Sequence, residues 1–252
     1  MGSLMWRWAG LWVGCLCVAG TLLLPASAKA DAIASVPSRT LKPFEAKYKT
    51  NALGIEVTLT RSLQEAEGRY VFRNEASLFI VSLKEQSEFT VKDGRIVGDH
   101  FTYALTGLGN RRRAVQFLHE EQIIRSLKKK QWTEHPLEAD ILDRLSQQAQ
   151  LRLDLLNSPE PPEALHFRVV DGAQVKAYTL FNEGIETLQT PVGDLRTVHY
   201  RRDHGDDENR DSHVWLALDH DYLMVRSEHT EKNSTVLITL ESASIGGIPV
   251  QP

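Results

Sequence analysis

The densest run of residues able to do chemistry is His204-Gly205-Asp206-Asp207-Glu208-Asn209-Arg210-Asp211-Ser212-His213, followed by Asp219-His220-Asp221. Imidazoles beside carboxylates are suitable donors for Zn²⁺ or another divalent ion. The first run lies between two β segments, however, where a polar hairpin loop is the ordinary outcome, and the second has the composition of a tight turn. A Ser/His/Asp hydrolase can be assembled from Ser146, His199 or His213 and an aspartate, but nothing local puts a serine on a strained turn or supplies an oxyanion hole. No G-x-S-x-G, P-loop, H-E-x-x-H or paired C-x-x-C pattern is present. The sequence therefore predicts no catalytic residues, no metal ligand set and no cofactor.

A second set of residues suits binding. Arg111, Arg112 and Arg113 form one basic cluster and Lys128, Lys129 and Lys130 another. Brought together by neighbouring strands they make a cationic rim for lipid phosphates or lipopolysaccharide; kept apart they are solvated loop ends. Phe72, Phe89, Phe101, Tyr103, Phe117, Phe167, Tyr178, Phe181, Tyr200 and Trp215 fall on the expected inner faces of strands. There they either fill a core or line a ligand pocket, two outcomes that share one period-two pattern.

The elements that must position these residues are mostly strands. From Pro43 to Trp132 alternating runs are punctuated by turns at Glu67-Gly68 and Asp93-Gly94, where glycine supplies the positive φ of a tight hairpin. The pattern resumes after the Pro-rich Ser158 to Pro162 link, with a further turn at Asp171-Gly172. Between them Ile141, Leu142, Leu145, Ala149, Leu153 and Leu156 recur at three- and four-residue intervals, predicting one amphipathic helix at about 139–156, with Asp140 at its start. The expected fold is mainly β: a large curved antiparallel sheet, open or partly closed into a barrel, with that central helix packed on it. Residues 43–252 then form one domain; two β-domains joined by a helical connector is the alternative.

The start of the chain reads as an export signal. Arg7 precedes an uncharged, largely apolar stretch from Trp8 to Leu24, Pro25 breaks it, and Ala26-Ser27-Ala28 or Ala28-Lys29-Ala30 offers the small residues that signal peptidase accepts. Residues 1–30 are the expected signal peptide and 31–42 a flexible lead-in. A retained transmembrane helix lacks such cleavage sites, so no stable membrane span is expected after cleavage. Both cysteines, Cys15 and Cys17, lie in the signal, leaving the mature chain without a disulfide or thiolate. Cleavage removes Arg7 and Lys29 and no acid, which takes the formal charge from −4 to −6. A general nucleic-acid binder is normally basic, so that class is excluded as a partner.

Several segments resemble the DUF3108 family of exported bacterial proteins: Phe44-Glu45-Ala46-Lys47-Tyr48, Asp143-Arg144-Leu145-Ser146, Gln150 to Leu155, Gly184 to Leu188, Thr190 to Gly193, Trp215 to Asp219 and Tyr222 to Arg226. The resemblance implies location in the periplasm and carries no activity with it. The Trp215 strand, the acidic turn and the strand ending at Arg226 are also similar to a hairpin of periplasmic lipoprotein carriers of the LolA/LolB type, with Met224 where those hairpins carry proline. That similarity implies a sheet that holds acyl chains. The leading expectation is a non-catalytic periplasmic binding protein for a lipid, acyl chain or lipoprotein segment. An envelope structural or protein-interaction factor is the alternative, and a hydrolase or metal-dependent enzyme comes third.

Overall fold

The computed structural model describes residues 39–52, 55–107, 109–205, 207, 209–232 and 234–252. The expected signal peptide at 1–30 and the lead-in up to residue 38 lie outside them. Among the described residues nine strands precede the one helix: β1 (Phe44–Ala52), β2 (Ile55–Ala66), β3 (Arg69–Leu78), β4 (Val81–Lys92), β5 (Arg95–Thr106), β6 (Arg111–Leu118), β7 (Ile123–Lys128), β8 (Gln131–Pro136) and β9 (Ile141–Leu142). After α1 (Ser146–Leu156) come β10 (Ala164–Asp171), β11 (Gln174–Thr190), β12 (Gly193–Arg202), β13 (Arg210–Ala217), β14 (Leu223–Glu231), β15 (Ser234–Ile245) and β16 (Ile248–Pro249).

The strands form one sheet in the order 8-7-6-5-4-3-2-1-15-14-13-12-11-10-9, with β16 beside β15. It is antiparallel apart from β9, which runs parallel to β10. Two meanders thus meet along the β1–β15 ladder, from Phe44 opposite Ile245 to Thr50 opposite Ile238. Local chemistry explains the tight turns. Glu67 and Gly68 have φ of 53° and 77°, and Asp93 and Gly94 have 51° and 73°, the two positive values that a two-residue primed turn requires.

The sheet does not close into a barrel, since β8 and β9 do not pair. Side chains bring its two ends together instead. Ser126 Oγ on β7 accepts the Gly172 N–H at 2.9 Å, and Asp171 accepts hydrogen bonds from Lys128 Nζ at 2.5 Å and Arg113 Nη1 at 3.1 Å. Gly172 has φ 66°, and a Cβ there would lie 2.7 Å from Cβ of Lys128; both the turn and the close approach require glycine.

The helix begins at Ser146 rather than near 139, which corrects the boundary predicted from sequence. Ile141 and Leu142 pair with Arg168 and Val169 of β10, so these apolar residues are buried as strand. Asp143 then caps the helix, its Oδ1 accepting the N–H groups of Leu145 at 2.8 Å and Ser146 at 3.0 Å. Asp140 pairs with Arg168 at 3.0 Å instead. The helix is also more deeply buried than a one-sided amphipathic helix, with only Gln148 and Asp154 keeping partial exposure. Its inward polar groups are mostly bonded: Gln150 Oε1 accepts the Ile96 N–H at 2.7 Å and Arg152 Nε donates to the Asp221 carbonyl at 3.1 Å, while Arg152 Nη2 is buried without a partner.

A single core joins strands on both sides of α1, including Phe72, Phe89, Phe101, Phe117, Leu145, Leu153 and Tyr200. Ser38–Pro252 is accordingly one compact unit. The last residues of the lead-in are anchored. Leu41 is buried, while Arg39 and Lys42 both pair with Asp221, at 2.8 and 2.9 Å.

Candidate functional site

Alternation along β13 sends Ser212 and His213 to opposite faces of the sheet, and this divides the His-rich segment that the sequence presented as one cluster. On one face Ser212 Oγ lies 2.8 Å from His204 Nε2 and 2.7 Å from His229 Nδ1. On the other, His213 Nδ1 lies 2.8 Å from His199 Nε2, and its Nε2 lies 2.8 Å from Asp211 Oδ2. Trp215 stacks on His199, donates to Glu186 at 2.6 Å and carries Arg226 over its ring. Among the described residues no three His, Cys, Asp or Glu groups are arranged to hold a metal ion. Ser146 is buried at the start of α1, bonded to Asp143.

The expected ligand-binding aromatics separate by position. Phe72, Phe89, Phe101, Phe117 and Tyr200 are at most 4% exposed and belong to the packed core under α1. Tyr103 is half-buried between the guanidinium groups of Arg113 and Arg144. Phe181 is exposed, and Trp215 belongs to the His199 face. Of the ten, Tyr178 lines two clefts, Phe167 one of them and Tyr200 the other.

Two clefts share Tyr178 and Arg202. The larger, about 790 Å³, runs between the β10–β11 hairpin and the loop after β12, with Arg95, Gln150, Phe167, Arg168 and His204 in its walls. The smaller, about 350 Å³, lies between α1 and the inner face of the sheet and has an aliphatic lining that includes Leu59, Leu151, Leu180, Met224 and Ile238. Both sizes fall in the range of small-molecule sites. Charge in the smaller cleft comes from Arg61, Arg144 and Arg202 against Glu85, with the His229 imidazole beside them.

Arg202 has no counter-ion among the described residues. Its Cζ sits 3.7 Å from the centre of the Tyr178 ring, its Nε is buried without a hydrogen-bond partner, and no described carboxylate pairs with it. Burial lowers the Arg202 pKa and the neighbouring Arg210 adds to this, against the opposing effect of Tyr178. Burial also pushes the Tyr178 phenol up to about 12, although Arg202 and Arg144 draw it down; the ring is thus a neutral platform under a cation. His204, in the larger cleft, is held below its ordinary value by burial first and then by Arg202.

Beneath the smaller cleft lies a polar network. Arg61 Nε donates to Asn74 Oδ1 at 2.8 Å and its Nη2 to Gln148 Oε1 at 2.7 Å, while Asn74 donates to Glu85 at 3.0 Å. The sequence signal for this network was Arg61 itself, a cation in phase with Val57 and Leu59. Arg202, in phase with Val198 and Tyr200, was the corresponding signal for the site.

The two basic clusters are only partly joined. Arg113 and Lys128 converge on Asp171, where Lys176 adds a contact at 3.3 Å. Burial tends to raise the Asp171 pKa, yet these three cations hold it below its ordinary value. Arg111, Arg112, Lys129 and Lys130 are exposed and carry no ion pair among the described residues.

No curated protein matches the chain. Among solved structures it is similar to a β-barrel-like protein of the domain of unknown function DUF1849 from Brucella abortus, with a TM-score of 0.52 and 10% identity over 82% of this chain and 99% of that one. This is a likeness of fold. The family described as "Protein of unknown function (DUF3108)" matches residues 44–241, from the start of β1 into β15. The chain therefore belongs to the DUF3108 family.

Proposed function

We propose that the protein is a non-catalytic binding protein of the periplasm that holds a lipid, an acyl chain or a lipidated segment of a lipoprotein in the paired clefts beside α1. The observation that carries this reading is Arg202, a cation fixed on Tyr178 where an aliphatic cleft meets a polar one, with no carboxylate paired to it among the described residues. An amphiphile fits that junction: its apolar part lies along Leu59, Leu180, Met224 and Ile238, and its anionic group meets Arg202. The packed aromatics of the core support the fold and leave the ligand to the clefts. Hydrogen bonds to charged groups are worth about 1.5–3 kcal/mol, so Arg202→Gln weakens uptake at least tenfold.

Titration of the delipidated mature chain with a dansylated fatty acid, alongside native mass spectrometry of the protein as purified, tests this reading. Saturable uptake that Arg202→Gln weakens supports it. A protein that carries no lipid and takes up no probe sinks it. An envelope factor that binds a protein partner is a second reading, favoured by β8, which pairs on one side only and leaves a strand edge open. Cross-linking in envelope extracts distinguishes it, because a carrier of small lipids needs no stoichiometric partner.

A further inference from the structure

The most exposed large apolar side chains sit at a hairpin tip. Phe79 is 89% exposed and Ile80 75%. They are the two central residues of the β3–β4 turn, flanked by the Leu78–Val81 pair, and Phe79 has φ 51°. Glycine or asparagine adopts that conformation readily, whereas a bulky side chain is strained in it. Neither folding nor packing explains a phenylalanine at this position. Its ring touches little of the chain, and the backbone would be more relaxed without it.

The next hairpin tip lies against this one. Gly107, at the end of the β5–β6 hairpin, sits so close that a Cβ there would lie 2.6 Å from the Ile80 carbonyl oxygen and 2.9 Å from Val81 Cα. Arg111 and Arg112 follow directly, opposite Leu105 and Ala104. The β7–β8 turn is the next tip at the same end of the meander and presents Lys129 and Lys130. Three successive tips thus carry an apolar pair and four exposed cations that make no ion pair among the described residues.

The turns at the other end of these strands carry Glu67, Asp93, Glu120 and Glu121, with Lys92 and Arg95 beside the second. A strand of ten to twelve residues spans roughly 35 Å, several times the screening length of about 8–10 Å in physiological salt. The acids of those turns are therefore out of range of whatever meets the basic tips.

We propose that the β3–β4, β5–β6 and β7–β8 turns form a membrane-docking rim, in which Phe79 and Ile80 enter the interfacial layer of an anionic bilayer and Arg111, Arg112, Lys129 and Lys130 lie against its phosphate groups. Two weak signals act together here, a short apolar wedge and a basic patch, which is the combination that gives reversible surface attachment. The rim is independent of the clefts and does not rest on what they hold.

Flotation of the mature chain with vesicles tests it, using phosphatidylcholine alone and phosphatidylcholine with about a third phosphatidylglycerol. The expected result is binding to the anionic vesicles, at least tenfold weaker to the neutral ones and weakened by added salt. F79S/I80S lowers it about tenfold, and each cation changed to glutamine lowers it about fivefold. Glu120→Gln with Glu121→Gln, at the opposite end, leaves it unchanged. The changed side chains are exposed, so circular dichroism and thermal unfolding of the variants match the parent. Absence of binding to anionic vesicles overturns the proposal, and so does binding that survives both F79S/I80S and removal of the four cations. Arg202→Gln keeps vesicle binding while losing fatty-acid uptake and the rim variants do the reverse, so failure of one reading is distinguishable from failure of the other.

Discussion

Asp143 offers a clean separation of hydrogen bonding from charge, because alanine and asparagine remove different things from the same buried position. Its side chain is fully buried. Oδ1 accepts the first two N–H groups of the α1 turn, and Oδ2 accepts the Ser87 hydroxyl at 2.7 Å. Alanine leaves all three donors without their acceptor. A lost helix cap costs about 1 kcal/mol and a buried hydroxyl left unmatched about 1–3 kcal/mol, so Asp143→Ala costs about 3 kcal/mol. Asparagine keeps Oδ1, and its amide can donate to Ser87 Oγ. It also removes a charge that burial disfavours: burial raises the Asp143 pKa above 3.8 despite the bonds from Ser146, Ser87 and Leu145. The fold thus prefers the protonated form, and this group's contribution is greatest below 3.8 and declines as pH rises through the folded value. At neutral pH, Asp143→Asn is therefore within about 1 kcal/mol of the parent. For a domain of this size 1 kcal/mol shifts Tm by about 2–4 °C. Thermal unfolding should fall by about 6–12 °C for alanine and by much less for asparagine. Equal losses in the two variants would refute the reasoning, since they would locate the stabilisation in the negative charge.

Gly98→Ala brings a Cβ to 2.6 Å from Cε2 of the buried Phe117 ring, an overpacking that costs about 1–3 kcal/mol; urea titration checks it, and Phe117→Leu in the same chain recovers part of the loss. His199 is held below 6.5 by burial and then by His213 and Arg226, against Glu186 and Glu183. Its contribution is present above 6.5 and fades as pH falls through the folded value, so His199→Phe flattens the acid side of a plot of Tm against pH, which NMR titration of the imidazoles checks independently. Asp171→Asn leaves Lys128, Arg113 and Lys176 without their carboxylate, and amide exchange should quicken in the β7–β8 and β10–β11 hairpins while the β1–β15 ladder is unchanged. Because the folded pKa of Asp171 is depressed, the same loosening appears in the parent as pH falls below 3.8.

The sheet was legible because its signals are local. Glu67-Gly68 and Asp93-Gly94 sit between alternating runs, and the turn chemistry that they announce is the one they adopt. The beginning of α1 was not legible, since Ile141 and Leu142 continue an apolar spacing that serves a buried strand as well as a helix. The aromatic residues posed the same difficulty. Phe89 and Tyr178 obey one alternation, and only the folded chain separates the residue under α1 from the one beside open space. The polar residues of the inner face were hidden for a different reason. Arg61, Asn74 and Glu85 come from three strands, and no spacing within a single strand marks them as partners. His204 and His213 were misleading neighbours, because alternation along β13 sends His213 to the face opposite Ser212, to which His204 is bonded.

The clasp at Asp171 bears on how a guest could reach the clefts. A fully laddered cylinder widens only by rupture of a row of main-chain bonds, which fail together. Here the seam is stitched by the Asp171 carboxylate with two partly solvated cations, by Ser126 and by His135 on the Gly172 carbonyl, so its elastic stiffness is set by contacts that ionic strength and acidity can soften one at a time. Width along that seam is therefore an adjustable dimension, while the curvature of the remaining sheet stays fixed by its ladders.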